Sequence, residues 1–377
     1  MSLGQNYCGG FCLRQNFPQI LTSPGDAPVF GSVMARHNPS SLRSERDSSR
    51  DLEPLKWGIL ATGSIAKEFV RDLHASGYGR AVACGSRTIE GARSFAVAYG
   101  IPKAYGSYGE LARDAEVEAV YVATPHNFHF EDALACLRNR KAVLCEKPLT
   151  VNASQAAKLF AAAEEHGVFL MEALWTYFLP ALVQARRWWA EGAIGEVRLI
   201  RAEFGFQAPF DPKGRLFDPG LAGGALLDVG VYALSLAQVV AGNKVPRIKA
   251  SSRKTATGVD ESTSILLDWS SGLRAELSCS IAHTLTNEAR IYGTEGTITL
   301  PQFWRAPSVI LETSSGKTVF EDKRTTFGYE SEAWAVTQAV RAGRTEDPLI
   351  SKAFSLRLVS TMDAVRKQIG LAYPGEE

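Results

Sequence analysis

The amino-acid sequence predicts an α/β fold in two parts: a doubly wound parallel sheet, then an α+β part with a large, mostly antiparallel open sheet. From Leu55 to Met171, short apolar runs alternate with amphipathic stretches, which is typical of buried parallel strands covered by helices. Beyond Arg247, several strand-like runs follow one another and are separated by glycine-containing turns, which favours antiparallel pairing. We place the first part at residues 54–176 and the second at residues 177–377.

In the first part, each predicted strand is a short apolar run and each predicted helix is amphipathic. Three helices are expected to end at Gly77, Gly100 and Gly167, because glycine readily adopts the left-handed conformation that ends a helix. The predicted strands are Leu55–Ala61, Arg80–Gly85, Ala119–Ala123, Ala142–Cys145 and Val168–Met171. The predicted helices are Ile65–Ala75, Glu90–Tyr99, Phe128–Asn139 and Ala153–His166.

The second part begins with helical patterns and continues with strands. A helix over Ala181–Ala190 precedes a strand near Val197–Phe206, and an apolar helix is predicted over Leu226–Val240. The successive strands follow, and two amphipathic helices, Ser331–Ala342 and Ser351–Ile369, close the chain. Strands joined by tight turns predict a sheet whose neighbouring strands run in opposite directions.

The balance of charge excludes some classes of partner. The chain has 41 basic and 40 acidic residues and a net charge of +1, so we expect neither nucleic acid nor an anionic membrane as a partner. No apolar run has the length that a transmembrane helix needs, and the N-terminus lacks the pattern of a secretory signal. The 6 cysteines are scattered and suit a reducing compartment, so we predict a cytoplasmic protein.

Residues 1–53 differ in composition from the rest of the chain. They are rich in Ser, Asn, Pro, Gly and Arg, and Arg43–Asp51 is almost wholly polar. Such a segment buries too little apolar surface to offset the entropy lost on ordering, so it predicts a disordered arm. An arm that wraps around a neighbouring subunit is the alternative.

A turn suited to phosphate follows the first predicted strand. Gly58-Ile59-Leu60-Ala61-Thr62-Gly63-Ser64-Ile65-Ala66 joins that strand to a helix, as in the dinucleotide-binding turn of Rossmann folds, although Ala61 and Ala66 stand where glycine is usual. The helix N-terminus would supply free N–H groups to a pyrophosphate. We therefore expect the first part to bind a dinucleotide.

The end of the second strand indicates which dinucleotide. Ser86 and Arg87 stand where an acidic residue would hold the ribose of NAD. A carboxylate there would repel a 2′-phosphate, whereas Arg87 would pair with one. The missing acid and the arginine together favour NADP over NAD.

Polar side chains follow other predicted strands. Lys147, in Glu146-Lys147-Pro148, comes directly after an apolar strand, and Asp228 and Tyr232 lie four residues apart on one face of a predicted helix. His126 and His129 follow the strand that ends at Ala123, but no further ligand pattern accompanies them, so we expect no metal site. Because ligands bind at the carboxyl ends of strands in doubly wound folds, we expect these groups to line one cleft.

These motifs carry a family resemblance. The chain resembles the glucose–fructose oxidoreductase and inositol dehydrogenase family from about Leu55 to its C-terminus, and within it the branch of dihydrodiol and NADP-dependent D-xylose dehydrogenases. The motifs are Trp57-Gly58-Ile59, Ala104-Tyr105-Gly106-Ser107-Tyr108, Glu146-Lys147-Pro148, Met171-Glu172-Ala173-Leu174-Trp175-Thr176 and Gly223-Gly224-Ala225-Leu226-Leu227-Asp228.

The resemblance implies roles for individual residues. It implies that Lys147 is the catalytic lysine, that Tyr232 is the acid/base, and that the open sheet of the second part forms the interface of a homodimer or tetramer. Relatives usually have Arg where this chain has Tyr177, which is a departure from the family pattern. The expected cofactor contacts are Ala61, Thr62, Gly63, Ser64, Ile65, Ser86, Arg87, Thr124, Pro125, His126, His129, Glu146, Lys147 and Trp175.

We therefore expect an NADP-dependent oxidoreductase that transfers a hydride to or from a CH–OH group of a sugar or cyclic diol. In this hypothesis Tyr232 exchanges the hydroxyl proton, the Lys147 ammonium lowers the pKa of the phenol from ~10, Asp228 orients the substrate hydroxyls or Lys147, and Trp175 forms an apolar wall. A keto-sugar reductase, an NADP-binding redox sensor without catalysis and a partner-binding scaffold are the alternatives.

Overall fold

The structure is a computed structural model that describes residues 53–376 of the chain. Two β-sheets and the helices around them account for the regular structure of these residues. The predicted disordered arm over residues 1–53 and its alternative, a segment that wraps around a neighbouring subunit, lie outside the described residues except for Glu53.

In the described part of the chain, the first sheet has six parallel strands in the order β3-β2-β1-β4-β5-β6, which confirms the predicted doubly wound sheet. The strand order reverses between β1 and β4, and ligands of such sheets bind at the carboxyl ends of the strands beside this point. The short strand β3 was not predicted, because it has too few residues to show a period. The strands are β1 (Leu55–Leu60), β2 (Gly79–Gly85), β3 (Lys103–Tyr105), β4 (Ala119–Val122), β5 (Ala142–Glu146) and β6 (Leu170–Ala173).

Helices connect these strands and pack against them. Gly77, Gly100 and Gly167 end three of the helices with φ values of +71°, +65° and +63°, as predicted from their lack of a Cβ atom. One short helix, the third along the chain, was not predicted. The helices are α1 (Ser64–Ser76), α2 (Ile89–Tyr99), α3 (Tyr108–Arg113), α4 (His129–Arg138) and α5 (Ala153–His166).

An aromatic stack lies between the first sheet and α1. The ring of Phe69 on α1 lies 3.8 Å from the ring of Tyr121 on β4, nearly parallel to it, and 5.4 Å from Trp57 on β1. All three side chains are fully buried, so they contribute a large apolar area to the core. This packing holds β1, β4 and α1 together, and the predicted site lies at the carboxyl ends of those two strands.

The second sheet has eight strands within the described range, in the order β14-β13-β12-β11-β7-β10-β9-β8. All neighbours are antiparallel except β7 and β10, which confirms a mostly antiparallel sheet. Burial alternates along the strands, so that Ala275 and Leu277 face the core while Glu276 is exposed. The role of this sheet as a subunit interface stays a prediction. The strands are β7 (Val197–Gly205), β8 (Arg247–Lys254), β9 (Asp260–Asp268), β10 (Arg274–Ser280), β11 (Ala289–Gly293), β12 (Gly296–Leu300), β13 (Ser308–Thr313) and β14 (Gly316–Glu321).

One helix of the second part packs on the first. The carboxylate of Asp72 on α1 accepts hydrogen bonds from the backbone N–H groups of Phe327, Gly328 and Tyr329, at the N-terminus of α8. A carboxylate at this end stabilises the helix through its unpaired N–H groups. The predicted boundary near residue 176 stays a prediction. The helices are α6 (Pro180–Ala190), α7 (Val231–Ala241), α8 (Tyr329–Arg341) and α9 (Lys352–Gln368).

The predicted helix over 226–240 has two forms. Leu226–Gly230 is a π-helical segment, and α7 continues from it. The expectation that no apolar segment is long enough to cross a membrane was wrong on length, because Pro219–Ala241 passes that test over 23 residues. Of the most apolar stretch of this segment, 78% is buried inside the protein, as in a core helix.

Candidate active site

The predicted site segments meet at the carboxyl ends of β1, β4 and β5. Residues 61–63 follow β1, Thr124 lies just beyond β4, and Lys147 directly follows β5. The π-helical segment of the second part reaches the same place, since the Lys147 ammonium contacts Asp228. Residues of both parts of the chain therefore meet at the predicted site.

The turn after β1 is shaped to hold an anion. Ala61 has a φ of +82°, in the left-handed region that favours glycine, which gives a physical reason for the glycine that is usual there. Gly63 occupies the N-cap position of α1, and no side chain caps the first turn of the helix. Its first N–H groups are therefore left for a ligand, and Thr62, Ser64 and Ile65 lie at least partly exposed around them.

Ser86 and Arg87 lie beyond the end of β2. The backbone N–H of Ser86 donates to the carbonyl of Tyr105, which ties this end of β2 to β3. The Arg87 side chain is exposed. The role of Arg87 in distinguishing NADP from NAD stays a prediction.

Lys147 is brought together with the two other predicted catalytic residues. Its Nζ donates to the backbone carbonyl of Asp228 at 2.6 Å, lies 3.5 Å from the Asp228 carboxylate, and lies 5.1 Å from the centre of the Tyr232 ring. Only 13% of the Lys147 side chain is exposed, so its charge acts in a poorly solvated place. The geometric expectation of an ammonium beside a phenol agrees with these distances.

The phenol of Tyr232 is held neutral. Burial raises its pKa well above the usual range, and the nearby carboxylates of Glu146 and Asp228 raise the pKa further. The predicted lowering of this pKa by Lys147 is therefore wrong, because the sequence did not show how completely the ring is buried. Trp175 was expected to be an apolar wall, yet its indole Nε1 also donates to the Tyr232 hydroxyl at 3.1 Å.

Asp228 is surrounded by cations. Burial alone would raise its pKa, but the charges of Lys147 and Arg215 outweigh burial and hold the pKa of Asp228 below its usual range. Arg215 Nη1 donates to the carboxylate at 2.7 Å, and His126 Nε2 lies 4.0 Å from it. No sequence pattern pointed to Arg215, because it lies in an irregular loop with no motif around it. The carboxylate lies 3.5 Å from the Lys147 ammonium, and its expected role, to orient Lys147 or the substrate hydroxyls, stays a prediction.

The two histidines have different surroundings. His126 Nδ1 lies 3.1 Å from the carbonyl of Ala222, and burial lowers the His126 pKa to about 3, so its ring is neutral beside Lys147. His129 is fully buried. Its Nδ1 lies 2.8 Å from the carbonyl of Pro148, and its Nε2 lies 2.8 Å from the carbonyl of Thr124. We therefore assign His129 to joining the loops after β4 and β5 rather than to a cofactor contact.

Two buried glutamates support the lysine loop. Glu146 accepts a hydrogen bond from the Tyr121 hydroxyl and another from the backbone N–H of Lys147, and burial raises its pKa. Glu172 accepts from the N–H of Leu149, and burial raises the pKa of Glu172 to about 7. Glu146, expected as a cofactor contact, thus lies inside the protein and orients the backbone that carries Lys147.

An aromatic wall surrounds the Tyr232 ring. Phe204 lies 5.6 Å from it and stacks on Trp304 at 5.1 Å. Trp175 lies 5.3 Å from Phe327, and Trp304 and Phe327 are both partly exposed. Sequence reasoning named only Trp175, because the other rings come from distant segments that show no shared pattern. Such a wall suits the face of a carbon ring.

Tyr177, which stands where relatives usually have Arg, lies inside the protein. Its hydroxyl donates to Ser235 on α7 at 2.7 Å, and the ring is 1% exposed. Tyr177 therefore supports the helix that carries Tyr232 from the inside. Among the described residues no group of three or more His, Cys, Asp or Glu side chains could hold a metal ion, and the lack of a metal site stays a prediction.

Comparisons with known protein families agree with this arrangement. The family model described as "Oxidoreductase family, NAD-binding Rossmann fold" matches residues 55–174, and the model described as "GFO/IDH/MocA C-terminal domain" matches residues 182–299. The two matches together cover more than half of the chain.

Similar proteins include several of the same name. The trans-1,2-dihydrobenzene-1,2-diol dehydrogenase of Xenopus laevis is 40% identical over 332 residues, which is 85% of this chain and 99% of the relative. The mouse (Mus musculus) enzyme of that name is 38% identical over 86% of this chain and 99% of its own length.

Solved structures share the fold. A 3-ketoreductase from Actinomadura kijaniata, crystallised with NADP and TDP-benzene, is 30% identical with a TM-score of 0.76, over 84% of this chain and 98% of its own. An aldose-aldose oxidoreductase from Caulobacter crescentus has a TM-score of 0.76 at 22% identity, over 84% of this chain and 97% of its own, and so speaks for the fold alone.

Proposed function

Because the chain belongs to the GFO/IDH/MocA family of oxidoreductases, we propose that it transfers a hydride between NADP and a secondary alcohol of a cyclic trans-diol. The observation that carries the proposal is the cluster of Lys147, Asp228 and Tyr232 at the carboxyl end of the first sheet. The nicotinamide, when bound, accepts or supplies the hydride.

Lys147 and Tyr232 have different roles at the substrate oxygen. The poorly solvated ammonium of Lys147 stabilises negative charge that develops on that oxygen, where a preorganised charge is worth far more than in water. Because burial raises the pKa of Tyr232, the phenol carries its proton at neutral pH and is ready to donate it when a ketone is reduced. In the oxidative direction the Tyr232 hydroxyl must first release its proton, and the resulting phenolate then accepts the proton of the substrate hydroxyl.

The aromatic wall favours a carbon ring as substrate. Trp304 and Phe327 are partly exposed and contact Phe204 and Trp175, the two rings next to Tyr232. Arg215 and Asp228 supply polar groups for one or two hydroxyls. A cyclic diol combines an apolar ring with two adjacent hydroxyls. The relatives at 36–40% identity are named trans-1,2-dihydrobenzene-1,2-diol dehydrogenases, which supports the same choice.

Initial rates measured at the nicotinamide absorbance band test this choice. We expect the kcat/KM for oxidation of trans-1,2-dihydrobenzene-1,2-diol with NADP to be at least tenfold above that for pentoses and hexoses. The reason is that only the diol has an apolar ring face that packs against the aromatic wall. Equal or higher kcat/KM for an aldose would overturn the substrate assignment, while leaving the roles of Lys147 and Tyr232 open to their own tests.

A ketone reductase is the second candidate. The neutral phenol suits proton donation, and the 30%-identical structure from Actinomadura kijaniata is a 3-ketoreductase. The same assay run with NADPH and keto sugars separates the two, since a reductase of this kind would reduce keto sugars faster than it oxidises any diol.

Arg87→Ala tests the preference for NADP. Removing a charge-assisted contact to the 2′-phosphate costs about 1.5–3 kcal/mol, so we expect the KM for NADP to rise roughly 10- to 100-fold, with the KM for NAD nearly unchanged. Arg93→Ala is the matched control, because Arg93 is an exposed arginine on α2 beyond this turn. If Arg87→Ala changed both KM values equally, Arg87 would not be the residue that selects NADP.

A further inference from the structure

A second concave site lies in the second part of the chain, between α7, α9 and the strands β8 and β9. Its volume is about 340 Å³, within the range of small-molecule sites. Leu234 and Gln238 contribute from α7, which begins beside Tyr232. None of the residues assigned above to the cofactor, the substrate or the proton lines this site, which we call the α7–α9 pocket.

The floor of the α7–α9 pocket is apolar. Leu234, Leu267 and Trp269 are at most 5% exposed, and Ile248 and Leu356 add partly buried aliphatic surface. At the rim, Val245 is 80% exposed, although large aliphatic side chains are usually covered. A ligand with an apolar body would cover this surface and gain the free energy of removing it from water.

The uncharged polar groups of the lining are already satisfied within the chain. Trp269 Nε1 donates to the Lys244 carbonyl, Gln238 Nε2 donates to the Phe354 carbonyl, and the hydroxyls of Ser360 and Thr361 donate to carbonyls of their own helix. Each of these groups therefore already donates one hydrogen bond within the chain, and only Gln238 keeps a second amide hydrogen.

The lining of the pocket also contains two cationic side chains, Arg357 and Lys244. Arg357 Nε is buried and has no hydrogen-bond partner among the described residues, and burial lowers the pKa of this guanidinium. Lys244 is exposed at the rim. Among the described residues that line the pocket there is no Asp or Glu, so the charge of the site is positive. The Arg357 guanidinium and the Lys244 ammonium are therefore the two charges of the lining that a ligand could pair with.

We propose that the α7–α9 pocket binds a small amphipathic monoanion, whose apolar body lies on Trp269 and Leu267 and whose anionic head accepts hydrogen bonds from Arg357 and Lys244. The charge is complementary to the two cations, and the apolar body matches the floor. The proposal does not depend on the proposed function, because the ligand neither reacts nor meets Lys147.

Calorimetric titration of the full chain with decanoate tests the proposal. We expect one decanoate to bind per chain, with and without saturating NADP, and at least about fivefold more tightly than the uncharged 1-decanol. Decyltrimethylammonium, which has the same chain and a positive head, is expected to give no binding. Arg357→Gln and Lys244→Gln should each weaken decanoate binding about fivefold and leave 1-decanol binding unchanged.

Lys249→Gln is the matched control, because Lys249 is an exposed lysine next to Ile248 whose side chain does not line the pocket. It should leave decanoate binding unchanged. Equal affinity for decanoate and 1-decanol, or no effect of either charge-removing variant, would overturn the proposal. The proposal would also be overturned if Ala364→Trp reduced the mass of the oligomer without changing the affinity for decanoate. That result would mean that a second copy of the chain covers the pocket.

Discussion

Lys147→Met is expected to lower kcat between about 10²- and 10³-fold while the Kd for NADP changes by less than about threefold. The ammonium lies in a poorly solvated place, fixed by the carbonyl of Asp228, and a preorganised charge of this kind stabilises the transition state by several kcal/mol. Met keeps much of the length of the side chain but has no charge. Steady-state rates and a dinucleotide fluorescence titration measure the two quantities separately.

Lys158→Met is the matched control for this change, since Lys158 is an exposed lysine on α5. It should leave both kcat and the Kd for NADP unchanged. If Lys147→Met kept more than about a tenth of the wild-type kcat, the ammonium would have no direct role at the substrate oxygen. A large rise in the Kd for NADP with little change in kcat would instead assign Lys147 to cofactor binding.

Tyr232→Phe is expected to lower kcat by about 10²- to 10⁴-fold, the contribution typical of a positioned proton donor. Phe keeps the ring against Phe204 and removes only the hydroxyl that Trp175 binds. Because the pKa of this phenol is raised, its proton is present throughout the neutral range and is lost only at strongly alkaline pH. The wild-type rate of ketone reduction should therefore be flat between pH 6 and 9.

Tyr177→Phe is the control for losing a buried tyrosine hydroxyl near the same helix. Its hydroxyl donates to Ser235 on α7 without reaching the site, so we expect less than a threefold change in kcat. Near-normal turnover of Tyr232→Phe would reject its role as proton donor. A wild-type reduction rate that fell with a midpoint inside pH 6–9 would show that the pKa of the donor is not raised.

The local order of the chain could be predicted because its signals are local. The apolar runs of β1 and β4 are buried on both faces, and Gly77 and Gly100 end helices where their lack of a Cβ atom indicated. The grouping of Lys147 with Tyr232 was expected from the family motifs, since Lys147 follows β5 whereas Tyr232 lies on α7 of the second part.

The rest depends on contacts between segments far apart in sequence. Arg215 contacts Asp228 from an irregular loop. Trp304 and Phe327 lie beyond residue 300, where no period or motif predicted that they would belong to the site. The pKa of Tyr232 was predicted in the wrong direction for the same reason. A nearby ammonium was foreseeable from the motifs, but the burial that raises the pKa is a property of the packed interior.

The kcat/KM of the double variant Lys147→Met with Tyr232→Phe tests most directly whether the two groups act on one substrate oxygen. Groups that act as a unit have strongly non-additive effects, so we expect a loss in kcat/KM within about tenfold of that of the more damaged single variant. A loss equal to the product of the two single losses would show that the ammonium and the phenol act independently.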